Sequence, residues 1–296
     1  MPTNKTVAEL LCAGVGIIDL LPPEMAEVTR RDAEYHGQVR NEWIELNQIE
    51  TERNRKFHDD ALREVAAELP PEATILELGS GVGYDAGRFL QLGVPFGCYI
   101  VSEISPLLLE HAKNALVSLP AGKLVRYCCL DAAEMRIANS QVDRVLTIAA
   151  VHHFPKLDQA LAEIDRVTRA GAKIVFAIEP NRLWSTVMVG LRPFYRRLFS
   201  NKAHSAADEE AEGFRLRDFA NIGTRLNWQL QRVVPVWFFT GFLHIGLETL
   251  YRLLRLNRRI KVPTFIEKAF LVADALFFRI PFANKLAWHY SVVFRK

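Results

Sequence analysis

The stretch from Thr74 to Glu103 constrains the fold of this chain more than any other. It begins with a short run of β-branched and aliphatic residues, continues through glycines at 79, 81 and 83, and leads into a helix-compatible segment. A second apolar run follows and ends on the acid Glu103. This pattern predicts a strand, a tight turn, a helix and a second strand.

The glycines and acids of this stretch predict a nucleoside-containing ligand. Glycines let a turn bring backbone N–H groups close to a ligand at the N-terminus of a helix, and a carboxylate about 20 residues later, here Glu103, is placed for ribose hydroxyls. The spacing G-x-G-x-G differs from the dinucleotide fingerprint G-x-G-x-x-G, whose third glycine would fall at Tyr84. Glu77, two residues before Gly79, suits a cationic ligand better than a pyrophosphate.

With this acid and these glycines the chain resembles the class I S-adenosylmethionine-dependent methyltransferases, in their type 11, quinone-biosynthesis-like branch. The resemblance continues in order over residues 73 to 181, through five strands and the helices between them. It implies that S-adenosylmethionine is the cofactor, held by residues at the ends of the first three strands. These residues are Glu77, Gly79, Gly81, Gly83, Glu103, Ile104, Asp131 and Ala132.

The alternation of strands and helices predicts an α/β fold, a Rossmann-like doubly wound sheet. The resemblance implies seven strands, mostly parallel with an antiparallel last strand, and puts the sixth in 228–239 and the seventh in 288–296. We expect an N-terminal helical lid over residues 1–70 and a core over 71–180. Tyr35 and His36 either line this lid or occupy ordinary positions on a helix surface. Residues 181–296 should complete the sheet and add a helical cap from two insertions, about 181–213 and 240–286. Both insertions should emerge at the carboxyl edge of the strands, where such sheets bind ligands.

Charge and aromatic residues divide unevenly along the chain. Residues 1–180 carry 18 Lys and Arg against 26 Asp and Glu, a net charge of −8, whereas residues 181–296 carry 19 against 8, a net charge of +11. The second part also holds 20 of the 30 aromatic residues. A basic, aromatic-rich segment after an acidic core indicates an anionic surface as partner.

The insertions indicate that this surface is a membrane. In 182–199 apolar residues recur at helical spacing, and in 241–259 the polar residues form one stripe on an otherwise apolar helix. The first set is Trp184, Val187, Leu191, Phe194 and Leu198, and the second is His244, Glu248, Arg252, Arg255 and Arg259. No transmembrane helix is expected, because the longest run without formal charge, 233–247, has 15 residues and a spanning helix needs about 20.

In-plane interfacial helices fit these patterns. The alternative is an ordinary cap domain whose basic residues face water. Nucleic acid is a poorer fit as a partner, because the aromatic residues lie among leucines rather than among the basic residues.

Two adjacent histidines after the predicted fourth strand are the catalytic candidates. Methyl transfer from a sulfonium is an in-line displacement that depends mainly on alignment. A hydroxyl, phenol or carbon-acid acceptor also needs a base near neutral pH, which His153 or His152 would supply, whereas a carboxylate or free amine would not need one. Alternatively, one of them only packs or bonds backbone. Glu179 and Asn181 either orient an acceptor or cap the following helix, and no metal site is predicted.

The combined expectation is methyl transfer to a hydrophobic or lipid-linked acceptor on the inner, cytoplasmic face of a membrane. Isoprenoid quinone precursors, lipid head groups and lipid-linked sugars all fit, and the acceptor atom and the oligomeric state stay open. Two alternatives also stay open: a soluble natural-product methyltransferase with an apolar helical cap, and a membrane scaffold that binds the cofactor without turnover. Four cysteines, two of them adjacent in a predicted strand, form no disulfide framework, which favours a reducing compartment.

Overall fold

The computed structural model describes residues 4–14, 16–22, 34, 51–120, 122–198, 213–254, 256 and 260–296. Several residues to which the sequence assigns a role, Tyr35 and His36 of the lid and Arg255 and Arg259 of the polar stripe, lie outside the described residues. The side chains of Phe194 and Leu198 are also outside the description. The division into lid, core and cap therefore stays a prediction.

The described residues contain one sheet of eight strands. The strands are β1 (Ile17–Asp19), β2 (Thr74–Leu78), β3 (Cys98–Glu103), β4 (Val125–Cys129), β5 (Val142–Ile148), β6 (Thr168–Pro180), β7 (Gln229–Val236) and β8 (His289–Arg295). Their spatial order is β1-β4-β3-β2-β5-β6-β8-β7. Strands β1 to β6 pair in parallel, and β8 is antiparallel to both β6 and β7. The predicted Rossmann-like fold with an antiparallel last strand is confirmed.

The helices connect these strands in the predicted order. They are α1 (Val7–Cys12), α2 (Glu52–Ala66), α3 (Tyr84–Gln91), α4 (Pro106–Leu116), α5 (Leu157–Val167), α6 (Arg182–Leu198), α7 (Leu216–Leu226), α8 (Phe239–Leu253) and α9 (Thr264–Phe277). Short 3-10 turns lie at Gly122–Leu124, Val151–His153 and Ala283–Leu286.

The sheet is buried on both faces, as parallel strands require. Successive side chains of β2 alternate between two apolar layers: Leu76 packs in the layer that holds Ile164 of α5, and Ile75 packs in the layer that holds Phe57 of α2 and Leu109 of α4. The continuous apolar runs of the sequence therefore form the doubly covered centre of the sheet.

The prediction of seven strands was incomplete, because residues 17–19 add an eighth strand at the edge. Strand β1 pairs in parallel with β4, with Ile17 opposite Tyr127. The preceding helix α1 is held nearby by the guanidinium of Arg126, which donates to the carbonyl oxygens of Leu10 and Leu11 at 3.0 and 2.8 Å. A strand of three residues is too short to show an alternating pattern in the sequence. It could not be predicted because it forms only by pairing with β4, more than 100 residues away.

The cap helices α6, α8 and α9 follow the carboxyl ends of β6 and β7. The indole ring of Trp184 in α6 stacks on that of Trp288 just before β8, with ring centroids 4.3 Å apart. Helix α8 packs so closely on Trp288 that a Cβ at Gly241 would lie 2.0 Å from its ring. None of the helices in the described ranges combines the length and the apolar character needed to cross a membrane.

Candidate active site

The strand order reverses between β2 and β5, and the loops that follow these two strands form the centre of the site. The chain proceeds from β2 outward through β3 and β4, then returns to β5 on the other side of β2. Open α/β sheets bind ligands beyond the carboxyl ends of the strands at this kind of reversal. Gly79 after β2 and Ala150 after β5 lie so close that a Cβ added to Gly79 would be 2.7 Å from the Ala150 Cβ.

The glycine loop has the backbone conformation that its sequence predicts. Gly79, Gly81 and Gly83 have φ angles of +67°, +55° and +77°, a left-handed region that side chains with a Cβ rarely enter. A Cβ on Gly83 would in addition lie 2.7 Å from the Ala112 Cβ. Gly83 is the N-cap of α3, so the loop delivers its backbone to a helix N-terminus.

Glu77 is buried beneath this loop in an environment that suits a cation. It is 2% exposed, and it accepts a hydrogen bond from the Tyr99 hydroxyl at 2.8 Å. Burial, together with the nearby charge of Asp85, raises the pKa of the Glu77 carboxyl well above its usual range. A bound ammonium or sulfonium group would offset this repulsion and restore the carboxylate.

Glu103 organises the backbone of two loops. Its carboxylate accepts from the Gly81 N–H at 2.9 Å and from the Ile104 N–H at 2.9 Å. The acid thus joins the end of β3 to the glycine loop, which is the position from which ribose hydroxyls would be bound.

The adenine side of the predicted site lies at the end of β4. Leu130 donates its N–H to the Glu103 carbonyl oxygen at 3.2 Å, which holds the two strand ends together. The next residue, Asp131, accepts from the Ala133 N–H at 2.8 Å and so shapes the turn that contains Ala132. Asp131 therefore has the N-cap-like role of a turn residue and stays a candidate for the adenine.

These residues fit a bound S-adenosylmethionine. The predicted set converges at the carboxyl ends of β2, β3 and β4, with two buried acids and a left-handed glycine loop. In the described part of the chain the hydroxyl oxygen of Ser80, inside that loop, is buried without a hydrogen-bond partner. A polar ligand would relieve this unmet hydrogen bond. The roles of the individual residues stay predictions.

The acceptor side is built around Glu179, a fully buried acid at the end of β6. Its carboxylate accepts from the backbone N–H groups of Ala150, Val151 and His152 at 3.2, 3.1 and 3.2 Å. It also contacts the ring Nδ1 of His152 at 2.9 Å. Glu179 therefore fixes the histidine loop, orients the His152 ring and leaves its Nε2 as the nitrogen available to another partner.

His153 lies directly against His152. The two ring centroids are 4.0 Å apart with an angle of 40° between the planes. The structure thus keeps both candidates beside the reversal point and links only His152 to Glu179. Asn181 takes the other role considered for it, because it accepts from the Leu183 N–H at 3.0 Å in the first turn of α6.

Three non-glycine residues with left-handed backbone cluster at the same edge of the sheet. Ala149, Ile178 and Trp237, at or next to the ends of β5, β6 and β7, have φ angles of +51°, +58° and +57°. At Ile178 the pairing of β6 with β8 is interrupted by a bulge, and this turns Glu179 toward the histidine loop. Such residues cost about 1–3 kcal/mol each. Glu68, Ser140 and Asn227, which precede β2, β5 and β7, also have left-handed backbone, so this strain accompanies the site without locating it.

Sequence reasoning missed His289, the first residue of β8. Its Nδ1 is buried without a hydrogen-bond partner among the described residues, and its ring contacts Trp237 edge-on at 5.4 Å. Burial lowers the pKa of His289 to about 4, with the nearby charge of His152 acting in the same direction and Glu179 opposing it. A neutral histidine therefore faces the Glu179–His152 pair. No local sequence pattern identifies His289 as a site residue, because it follows the long cap insertion rather than one of the motifs. Across the described ranges, acidic, histidine and cysteine side chains form no group of three or more that could hold a metal.

Comparisons with known proteins agree with this geometry. Residues 76–176 match the family model described as a methyltransferase domain, Methyltransf_11. A ubiquinone/menaquinone biosynthesis C-methyltransferase of Ralstonia nicotianae is 28% identical over 118 residues, which cover 40% of this chain and 47% of that protein. A malonyl-[acyl-carrier protein] O-methyltransferase of Laribacter hongkongensis is 30% identical over 112 residues, which cover 36% of this chain and 37% of that protein. The matches thus span about half or less of these relatives.

Solved structures agree on the fold. Phosphoethanolamine N-methyltransferase 2 of Haemonchus contortus, in complex with S-adenosyl-L-methionine, superposes with a TM-score of 0.58 at 15% identity. The superposition covers 93% of this chain and 60% of that one. This likeness concerns the fold alone. Residues 76–176, which match the methyltransferase family model and contain the glycine loop and the strand order of the site, form a methyltransferase domain of the predicted class I S-adenosylmethionine-dependent family.

Proposed function

We propose that the protein transfers the methyl group of S-adenosylmethionine to a hydrophobic or lipid-linked small molecule at a membrane surface. The observation that carries this proposal is the convergence of the glycine loop, Glu77 and Glu103 with the Glu179–His152 pair at one reversal point of the sheet. Gly79 touches Ala150, two residues before His152. The cofactor side and the acceptor side are therefore neighbours.

In the proposed reaction an acceptor atom attacks the methyl carbon as the carbon–sulfur bond breaks. S-Adenosylhomocysteine leaves as a neutral thioether, and the acceptor's proton passes to a base when the acceptor is a hydroxyl, phenol or carbon acid. The bonded position of His152 makes its Nε2 a candidate for that base, and His153 is the second candidate. The role of Glu179 is to hold the ring and stabilise the imidazolium that forms.

A hydrophobic acceptor is supported by the aromatic surroundings of the site. Trp237 lies edge-on to His289 at 5.4 Å, and Trp288 and Trp184 stack beside the first residue of β8. Apolar and aromatic linings with a few polar groups are typical of small-molecule sites. The malonyl and quinone methyltransferases to which the chain is similar act on different acceptors by their names, so the acceptor atom stays open.

The membrane surface is supported by the exposed side of the cap. In α6 the apolar residues Leu183, Val187 and Leu191 are exposed, and in α8 so are Phe242 and Leu250. The two helices meet where the Phe242 ring contacts that of Trp184, with centroids 5.4 Å apart, and exposed apolar residues grouped on neighbouring helices are typical of interaction sites. The basic charge of residues 181–296 favours an anionic leaflet. A peripheral position on the inner, cytoplasmic face of a membrane is part of the proposal, consistent with four free cysteines.

The test supplies methyl-labelled S-adenosylmethionine to the full chain together with a detergent-solubilised membrane extract, then separates organic and aqueous phases. Label in the organic phase, lost in Glu103→Ala, is the expected result. Label only in the aqueous phase would contradict the hydrophobic acceptor. Cofactor binding without any transfer would favour the scaffold alternative. Label on an apolar compound that is not a membrane lipid would favour the natural-product alternative.

A further inference from the structure

Helix α9 has an inverted polarity for a surface helix. Its two acids, Glu267 and Asp274, are each 3% exposed, whereas Phe265 is 73% exposed and Phe282, in the turn after the helix, is 75% exposed. A surface helix in water normally turns its charges outward and its apolar residues inward. In α9 both acids are turned inward and one stripe of apolar residues is turned outward, although Leu271 and Phe277 on the other side of the helix pack against the protein. The outward apolar residues, called the outer face below, are Phe265, Val272, Leu276, Ile280 and Phe282.

Polar contacts inside the protein hold the helix in this rotation. Glu267 forms a buried ion pair with the guanidinium of Arg53 at the start of α2, and its other oxygen accepts from the Arg53 N–H at 3.2 Å. Asp274 accepts from the Phe239 N–H at 2.7 Å and so caps the N-terminus of α8. Turning the outer face inward would leave both carboxylates and the Arg53 guanidinium without these partners. The exposure of the apolar residues is therefore a fixed feature of the fold.

The charges around the outer face have one sign. Within the described segment 260–286 the four cations Lys261, Lys268, Arg279 and Lys285 are exposed, and both acids are buried. Lys285 also lies over the ring of Phe282, with its Nζ 5.2 Å from the centroid. Aromatic and aliphatic side chains flanked by Lys and Arg are the composition of helices that lie in the head-group region of a membrane.

The outer face runs along the helix rather than gathering at one end. From Phe265 to Leu276 it spans about three helical turns, roughly 16 Å, and Ile280 and Phe282 extend it beyond the end of the helix. Side chains spread over this length reach a flat surface together only if the helix axis is parallel to it. The neighbouring helix α8 continues the apolar surface with Phe239 and Phe242, and Phe239 contacts Phe277 of α9 with ring centroids 5.4 Å apart.

We propose that the outer face of α9 is the surface on which the protein docks to an anionic phospholipid leaflet, with the helix axis in the plane of the membrane. This inference deepens the proposed function by naming the partner and the surface that meets it. A second copy of the chain is a poorer occupant, because a two-fold contact through this face would bring the exposed cations of one copy, among them Lys268 and Arg279, close to those of the other. Anionic head groups instead pair with these cations.

The experiment measures binding of the full chain to vesicles of phosphatidylglycerol and phosphatidylcholine by sedimentation. Phe265→Ser with Phe282→Ser should raise the apparent Kd roughly tenfold or more, because two aromatic side chains leave the interface. Lys268→Glu with Arg279→Glu should have a comparable effect on anionic vesicles and little on neutral ones. The matched control is Leu92→Ser, an exposed leucine at the end of α3 on the opposite edge of the sheet.

Every replaced side chain is exposed, so circular dichroism and thermal unfolding should be the same in wild type and in the three variants. Raising salt from about 0.1 M to about 0.5 M should weaken binding without abolishing it, since the apolar part is not screened. Equal vesicle binding by wild type and the double serine variant would overturn the proposal. It would also be overturned if sedimentation velocity of the protein alone showed a wild-type dimer that the double serine variant loses while its vesicle binding is unchanged.

This result is separable from that of the proposed function. Vesicle binding requires no turnover, and transfer in detergent extract requires no vesicle. Binding through α9 without organic-phase label would leave the docking surface standing and refute the acceptor class. Organic-phase label without vesicle binding would support the acceptor class and refute the docking surface.

Discussion

Replacing Glu103 should weaken cofactor binding by an amount that the structure bounds. Hydrogen bonds to a charged group contribute about 1.5–3 kcal/mol each, and a ribose offers two hydroxyls to one carboxylate. Glu103→Ala should thus lose at least about 3 kcal/mol, roughly a hundredfold in Kd. It should lose more if the Gly81 and Ile104 N–H groups, now held by this carboxylate at 2.9 Å each, let the loop relax. Glu103→Gln, which keeps one acceptor oxygen, should lose about tenfold.

Isothermal titration calorimetry with S-adenosylhomocysteine and its 2′-deoxy analogue separates the ribose contact from the loop effect. The deoxy analogue should bind wild type about tenfold more weakly and should bind Glu103→Ala no worse than the parent ligand does. Glu110→Ala, an exposed acid on α4, is the matched control and should bind like wild type. Equal discrimination between the two ligands by wild type and Glu103→Ala would refute the ribose assignment, whatever happens to the overall affinity.

The remaining predictions concern titratable groups. Because burial, with the charge of Asp85, raises the pKa of Glu77, binding of the cationic cofactor should lower that pKa and release protons at a pH above the usual glutamate range. The release should appear as a buffer-dependent binding enthalpy that Glu77→Gln abolishes, and a buffer-independent wild-type enthalpy would contradict this. Because the pKa of His289 falls to about 4, the unfolded chain binds more protons between pH 4 and the usual histidine pKa of about 6.5, so stability should rise with pH across that window, by up to about 3 kcal/mol. When the free energy of unfolding is measured with urea at several pH values, it should rise less steeply with pH in His289→Gln than in wild type. An identical pH dependence would remove His289 as the cause. His153→Ala should lower turnover without weakening cofactor binding, and His152→Ala should do so more strongly if the Glu179-linked ring is the base; equal turnover of either variant and wild type would remove that histidine from the catalytic candidates.

The core of the fold could be predicted because its signals are local. Alternating apolar runs and helical periods place β2 to β6, and three closely spaced glycines mark the loop that β2 enters. Glu103 is also readable, since it ends an apolar strand at a fixed distance from that loop. Short-range patterns of this kind need no knowledge of distant partners.

The parts that could not be predicted depend on distant contacts. Glu179 reaches His152 across 27 positions of sequence, and it does so because a bulge at Ile178 turns it. The rotation of α9 is set by Arg53, which lies 214 positions from Glu267. Periodicity shows that such a helix has two faces, but only the partner decides which face is inside.

Helix α2 connects the cap helices α8 and α9 to the cofactor side of the site. At its start Arg53 contacts Glu267 and also donates to the ring of His244 in α8 at 3.2 Å. One and a half turns later His58 bonds Asp85 of α3 at 2.8 Å, and Asp85 is the charge that helps raise the pKa of Glu77. The outer helix of the cap and the cofactor loop are thus held on one helix.

The direction of side chains on the cap distinguishes a cap that encloses a substrate in water from one that faces a bilayer. A cap around a soluble substrate would turn apolar residues toward the substrate and leave its charges outside. In α9 the acids are inside and paired, and in α8 the polar His244 is turned toward Arg53 while Phe242 and Leu250 are exposed. Helix α6 also exposes Leu183 and Val187, while its Trp184 and Met188 pack against the protein. Among the described side chains of these three helices, those of α9 alone combine buried acids with an outward apolar stripe. The exposed apolar residues of α6 and α8 add to that surface, and together they support the proposal that the acceptor reaches the methyl group from a membrane.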